Sequence, residues 1–252
     1  MGALVSVFAA LAARRARTLA TSGAIAAAVV GTICLAAGWS RGALLLAMFV
    51  SASALSRLGE RQKAERAGPV VEKGDERDAT QVLANGGLYA AAALGSMLAP
   101  SPIWYAIGAG ALAASAADTW ATEVGTLAGG DPISIVSGSR VAPGTSGGIT
   151  LVGTAAGVGG ALFIAAAAAL ANWPVSFAAV ALAGVAGALA DSLLGATVQA
   201  RRWCELCAKS TERLVHSCGT VTSHAGGLAG FDNDAVNAVC SGVGALVALL
   251  LS

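Results

Sequence analysis

The chain has 252 residues, 56% of them hydrophobic and only 12% charged, with a net charge of +1 and a mean hydropathy of +0.73. Soluble globular domains carry about 25% charged residues, so this composition excludes an ordinary soluble domain, a disordered chain and a disulfide-built mini-domain. A balance so close to neutral also excludes a nucleic-acid partner, which needs surplus cations to neutralise phosphates.

The composition fits an all-α polytopic membrane protein. There are 33 Gly and only 5% aromatic residues, and small residues let helix backbones approach closely in lipid, where water supplies no force between helices. The first 13 residues are mostly apolar and are followed by Arg14, Arg15 and Arg17. A cleavable signal peptide has its charges first, so the segment is read as part of the mature chain. The cysteines, Cys34, Cys204, Cys207, Cys218 and Cys240, are odd in number, and two lie in apolar stretches. That pattern does not describe a disulfide framework.

A helix needs about 20 mostly apolar residues to cross the hydrocarbon core. In chain order the candidates are about 18–38, 42–57, 81–99, 103–127, 148–171, 175–198 and 235–251, about seven transmembrane helices. Tight turns between them hold Trp39, Trp104, Tyr105 and Trp173, as an interfacial aromatic belt would. Of the 15 Lys and Arg, all but Arg41 fall on one side of this threading. The positive-inside rule makes that side cytoplasmic, with the N-terminus inside and the C-terminus outside. The spans then form three hairpins plus one helix, in a single transmembrane domain over 1–252, with a cytoplasmic Cys/His loop at 200–232. Ala117-Asp118-Thr119 and Ala190-Asp191-Ser192 echo each other, either as the trace of a duplication or by chance.

Within the spans the only acids are Asp118, Glu123 and Asp191. An acid at the bilayer centre costs at least ~2.5–3.5 kcal/mol and usually lines a polar cavity. All three lean toward the cytoplasmic side, Asp118 roughly 13 Å and Asp191 roughly 10 Å from their helix ends. Asp232, Asp234 and Asn237 mark the mouth of the last helix, and Asp234 and Asn237, three apart, share a face. Carboxylates converging from several helices suit a hard cation such as Mg²⁺. The alternative is helix–helix glue, with each acid bonded to Ser, Thr or Asn. The outer half carries essentially no ionisable residue.

Arg77, Gln81 and Asn85 step by four and stack on one helix face. They form either a phosphate or nucleobase contact or a solvated loop with Arg77 snorkelling. Pro143-Gly144-Thr145-Ser146-Gly147-Gly148 precedes the fifth span. It reads either as an anion-binding nest or as an ordinary helix cap at Thr145 or Ser146. It lacks the Walker lysine and is no P-loop. Cys204, Cys207, His216 and Cys218, with His224 as a substitute, either close a tetrahedral structural Zn²⁺ site or are reduced thiols without metal.

Taken together, these strings resemble an integral membrane family that includes the plant phytyl-phosphate kinases of vitamin E synthesis and bacterial, archaeal and animal relatives. The matching strings begin with Lys73-Gly74, Arg77-Asp78 and Gln81-Val82-Leu83-Ala84-Asn85-Gly86. Ala117-Asp118-Thr119-Trp120-Ala121-Thr122-Glu123-Val124-Gly125 and the 143–148 loop follow. Asp191-Ser192-Leu193-Leu194-Gly195-Ala196, His216-Ser217-Cys218-Gly219 and Asp232-Asn233-Asp234-Ala235-Val236-Asn237 complete the set, in the family's order over about residues 50–240.

The resemblance implies phosphoryl transfer from a nucleoside triphosphate, CTP by preference, to an isoprenyl monophosphate such as phytyl or geranylgeranyl phosphate. It implies Mg²⁺ held by Asp118, Glu123, Asp191 and Asp234. Lys73, Arg77 and the loop residues Gly144, Thr145, Ser146 and Gly147 would cradle the triphosphate, with Gln81, Asn85 and Asn237 as further nucleotide contacts. The acceptor is already an anion and needs no strong base. The expected partners are the isoprenyl phosphate, the nucleotide and membrane lipid, and the expected location is the cytoplasmic membrane with the site facing the cytoplasm. The competing class is a small-molecule or ion transporter with an acidic intramembrane site, which the dry outer half disfavours.

Overall fold

An apolar segment in lipid satisfies its backbone groups internally only as a helix, and breaks fall where Gly, Pro or Asn interrupt the run. The computed structural model describes residues 1–67, 70 and 76–252, and Lys73 lies outside them. Its helices are α1 (Gly2–Arg15), α2 (Thr21–Ala37), α3 (Trp39–Arg57), α4 (Glu60–Ala67), α5 (Ala79–Leu98), α6 (Ile103–Ala128), α7 (Leu151–Leu170), α8 (Phe177–Thr197) and α9 (Asn233–Leu250). Two antiparallel sheets stand among them. One pairs β1 (Ile133–Ser134) with β2 (Gly148–Ile149). The other joins β3 (Arg201–Cys204), β4 (Lys209–Thr211) and β5 (Ser223–Gly226) in the order β4-β3-β5.

The protein is mostly helical, and α3, α7, α8 and α9 are long and apolar enough to cross a membrane, while α2 is apolar but shorter. The central helix is α6, buried from Ala106 through Ala117 at nearly every position. It packs on α3, α4, α5, α7, α8 and α9. Small residues make this possible. A Cβ on Gly110 would lie 2.2 Å from the Gly244 carbonyl oxygen, and one on Gly244 would lie 2.4 Å from that of Gly110. The backbones of α6 and α9 are therefore in direct contact. The hydroxyls of Ser115 and Ser241, 2.9 Å apart, also reach the carbonyls of Asn85 and Ala84 on α5.

The bundle has two unlike ends. At the turn end, short connections join α2 to α3, α5 to α6 and α7 to α8. At the loop end lie α4, both sheets and every described Lys and Arg except Arg41. The helix positions follow the hydropathy reading closely, with two corrections.

The first concerns the N-terminus. Residues 2–15 form α1, which folds back along α2: the Ser6 hydroxyl donates to the Ala28 carbonyl at 2.9 Å, and a Cβ on Gly2 would sit 3.1 Å from Leu35. The N-terminus therefore lies at the turn end, opposite Arg14, Arg15 and Arg17, and not beside them. At 14 residues α1 is about 21 Å long, short of the ~30 Å hydrocarbon core.

The second concerns Arg41. It is not a lone cation in an outer loop but opens α3 at 2% exposure. Its guanidinium lies 4.2 Å from the Tyr105 ring centroid and 5.3 Å from that of Trp173, faces that attract a cation. Tyr89 stacks on Trp173 and donates its hydroxyl to the Arg41 carbonyl at 2.8 Å. Trp173 thus belongs to the core, whereas Trp39 remains exposed. The half of the bundle read as free of ionisable groups encloses one.

Candidate active site at the loop end

Asp118 and Glu123 stand five residues apart on α6, which sets their side chains about 140° apart around the helix axis. They meet different neighbours as a result. Asp118 pairs with Asp191 of α8, while Glu123 accepts from the Ser56 hydroxyl and forms an ion pair with Lys63. The four acids expected as one ligand set thus divide, with Glu123 already matched by a cation.

The Glu123 side is built from α3, α4 and the start of α5. Lys63 is 9% exposed, and its ammonium also donates to the carbonyls of Leu55 at 2.8 Å and Ser56 at 2.6 Å. These are orphan carbonyls at the C-terminus of α3, where a cation is favoured. Arg66 does the same for α6, donating to the carbonyls of Thr126 and Leu127 at 3.0 and 2.6 Å. Arg77 donates to the hydroxyls of Ser53 and Ser56 at 3.3 and 3.0 Å. Its backbone is pinned by bonds with Thr18 and Ala20. Burial lowers the Arg77 pKa, and the Glu123 carboxylate opposes that shift. A cavity of about 340 Å³ opens here, with Arg17, Arg57, Arg77, Thr18, Ser53 and Ser56 in its wall.

On the other side, one oxygen of Asp191, Oδ2, is buried with no hydrogen-bonding partner among the described residues. The charge of Glu212, just beyond β4, is felt at Asp191. Asp234, Asn237 and Ser241 step by three and four along α9. Ser241 touches Ser115 and Ala84, so this stripe faces α5 and α6. Asp234 is 9% exposed, and Asp232 caps α9 by accepting from the Ala235 N–H at 3.0 Å.

The 143–148 loop is a folded turn seated on the end of α8. Gly144 and Gly147 have φ of 83° and 77°, a conformation glycine adopts without strain, and a Cβ on Gly147 would lie 2.4 Å from that of Ala196. The Thr145 and Gly148 N–H groups are spent on the Ala142 and Thr145 carbonyls. The cap of α7 is Thr150, not Thr145 or Ser146, and it accepts from the Gly153 N–H at 3.0 Å. The Ser146 hydroxyl donates to Glu212. A cavity of about 660 Å³ lies between this loop and the larger sheet, with Arg66, Arg201, Lys209, Ser146, Glu212 and His216 in its wall. Small-molecule pockets run from about 300 to 1,000 Å³.

Gln81 and Asn85 have local duties. Gln81 and Asp78 form a capping box on α5, the Gln81 side chain accepting from the Asp78 N–H at 3.0 Å. Asn85 donates to the Gln81 carbonyl at 3.0 Å. Cys204, Cys207, His216 and Cys218 converge at the edge of the larger sheet, with one ligand atom from each within 4.8 Å of the others. Hydrogen bonds with Thr220 and His216 lower the Cys218 pKa to about 6, and its contact with Cys218 raises that of Cys207 to about 11. His224 lies on β5, outside that group.

Sequence reasoning missed Ser56, Lys63, Arg17, Arg57 and Glu212. The spacing of Gly59, Lys63 and Ala67, one helical face, was the available signal for Lys63. Glu212 carries none, because its role comes from strand pairing.

Residues 4–245 match the sequence profile of a family described as integral membrane protein DUF92. The chain is 30% identical to Protein PGR of Arabidopsis thaliana over 94% of its own length and 90% of that protein's. It is 35% identical to an uncharacterized membrane protein of Methanocaldococcus jannaschii, covering 74% and 77% of the two chains. A Synechocystis membrane protein is 31% identical over 69% of each. No solved structure matches.

Proposed function

Since the chain belongs to the DUF92 integral membrane family, in keeping with the resemblance its motifs carry, we propose that it is a membrane-embedded isoprenyl-phosphate kinase. An oxygen of the acceptor monophosphate attacks the terminal phosphorus of a nucleoside triphosphate, CTP by preference. The bond to the bridging oxygen breaks, and the products are the isoprenyl diphosphate and a nucleoside diphosphate. Such transfer needs chiefly positioning and neutralisation of charge.

The observation that carries this reading is the gathering of charged and hydroxyl groups at the loop end. It takes in the arginine-lined cavity with Ser56 and Glu123 beside it, the Asp118–Asp191 pair, and Glu212 in the wall of the larger cavity. Two adjoining carboxylates repel unless a proton or a cation stands between them, and the unpartnered oxygen of Asp191 adds to that demand. Asp118 and Asp191, with Asp234, are the residues that would hold Mg²⁺, which would neutralise the donor phosphates. Glu123, already bound by Lys63 and Ser56, serves better to position Arg77 than to ligate metal. The cations and hydroxyls of both cavities bind phosphate, with Lys73 as a further cation, and the Gly144–Gly147 turn shapes the larger one.

In this reading α2, α3 and α5 to α9 are the seven crossings, and the cation-rich loop end faces the cytoplasm of the cytoplasmic membrane. The isoprenyl tail lies among the small-residue helices with its phosphate at the cytoplasmic surface. A carrier would need a polar route to the turn end, where Arg41 is enclosed by Tyr89, Tyr105 and Trp173.

The test is purified protein in detergent with Mg²⁺, each of the four ribonucleoside triphosphates in turn, and geranyl, farnesyl, geranylgeranyl or phytyl phosphate. Diphosphate formed from at least one acceptor supports the reading, and none from any combination ends it.

A further inference from the structure

We propose that Cys204, Cys207, His216 and Cys218 bind one structural Zn²⁺, and that this ion holds together the sheet formed by β3, β4 and β5. The proposal stands independently of the kinase reading.

The distances carry it. Cys204 Sγ and Cys218 Sγ are 3.6 Å apart, and His216 Nδ1 lies 3.2 Å from Cys218 Sγ. In a tetrahedral centre with Zn–S about 2.3 Å and Zn–N about 2.0–2.1 Å, neighbouring ligand atoms fall about 3.6–3.8 Å apart. The Cys204–Cys218 distance matches such an edge, the His216–Cys218 distance is shorter, and all four ligand atoms lie within 4.8 Å of one another. A disulfide would bring two sulfurs to about 2.05 Å, and all five cysteines are free. Three thiols and an imidazole select a borderline-soft ion over Mg²⁺. Four protein ligands also leave no open position, which makes the site structural rather than catalytic.

The second observation is what the sheet lacks. Its strands are 4, 3 and 4 residues long, and the apolar side chains around them face outward. Leu206, Leu214, Val221 and Leu228 are 72, 58, 74 and 62% exposed. The buried residues are instead Cys204, Thr211, His216 and Thr222. A unit this small without an apolar core needs a disulfide or a metal to hold its shape.

His216 supplies a third. It is 6% exposed, and its Nε2 is buried with no hydrogen-bonding partner among the described residues. Nδ1 lies against Cys218 Sγ, metal there leaves the proton on Nε2, and the residue also lines the larger cavity. The same sheet carries Glu212 to Ser146, and Thr211 and Glu212 both bond to the Val70 carbonyl. The ion thus fixes one wall of that cavity.

The experiment is elemental analysis of the full-length protein purified in detergent without added metal. About one zinc per chain is expected, retained in Cys34→Ser and lost in Cys204→Ser and Cys218→Ser. Exchange of wild type into Co²⁺ should give the intense visible bands of tetrahedral thiolate cobalt. Chelation should expose the 200–232 segment to protease while the spans stay intact. Iron in place of zinc, full zinc in the cysteine variants, or wild type that neither contains zinc nor takes up cobalt would overturn the proposal. If the cysteine variants fail to accumulate, the wild-type metal content and cobalt spectrum decide alone.

Discussion

Asp118 of α6 and Asp191 of α8 meet carboxyl to carboxyl, and one oxygen of Asp191 is buried with nothing to bind it among the described residues. Helix–helix glue would use such an acid to accept from Ser, Thr or Asn. A carboxylate pair instead repels unless a proton or a cation stands between the two groups. Asp118→Asn and Asp191→Asn should each lower kinase activity by about 100-fold or more, some 2.7 kcal/mol of transition-state stabilisation. Thermal unfolding in detergent should stay level or rise, because the change removes repulsion. A marked loss of stability in both variants would assign the pair to glue.

The same pair predicts a metal dependence that needs no substrate. Mg²⁺ at about 100 times its Kd should stabilise wild type by about 2.7 kcal/mol through mass action. The two Asn variants should show little of this gain. Melting curves with and without Mg²⁺ read it directly, and equal shifts in all three proteins would place the ion elsewhere.

Lys63 and Glu123 join α4 to α6 with side chains 10% and 21% exposed. Removing one partner of a fully buried pair costs about 3–5 kcal/mol. Here about 2–3 kcal/mol is expected for Lys63→Met, because Glu123 keeps some solvent and its bond from Ser56. Lys63→Met combined with Glu123→Gln should recover most of the loss. Denaturation of the single and double variants in detergent closes the cycle, and additive losses would deny the coupling.

Two glycines on α9 should answer the same substitution with opposite signs. A Cβ on Gly244 would lie 2.4 Å from the Gly110 carbonyl, whereas one on Gly242 meets nothing within 4 Å. Gly244→Ala should cost about 1–3 kcal/mol by forcing two backbones apart. Gly242→Ala should gain about 0.5–1 kcal/mol from helix propensity. Melting temperatures of the two variants decide it.

At the turn end, Arg41→Met should be neutral or stabilising, since an apolar side chain of similar length avoids burying a charge. Trp173→Ala should cost about 3–5 kcal/mol, because it opens a cavity and uncovers that charge. The two measured unfolding free energies test this, and a large loss in Arg41→Met would show that the cation itself is required.

Hydropathy, period and charge placement made α2, α3 and α5 to α9 legible, because each depends on residues near one another in the chain, whereas the polar α4 was read as loop. The same local information set the loop end apart as the cationic one and marked Asp118, Glu123 and Asp191 as acids out of place. It misjudged residues 1–15, since nothing within a short amphiphilic segment states which neighbour it will lie against. It also left Arg41 in a loop, because a cation beside Gly and Trp reads as an interface until Tyr105 and Trp173, 64 and 132 residues away, close over it.

The division of the acids was equally invisible. Asp118 and Glu123 share a helix and a stretch of sequence, and only the arrangement of α3, α4 and α8 around α6 sends one to a second carboxylate and the other to a lysine. Glu212 depends on strand pairing and on the turn that presents Ser146. The sequence by itself determined which segments are apolar and where charge is scarce, because partition into lipid is additive along the chain. The tertiary structure alone decided which charges neutralise one another, because Coulomb interaction and hydrogen bonding act over a few ångströms between helices that the sequence leaves far apart.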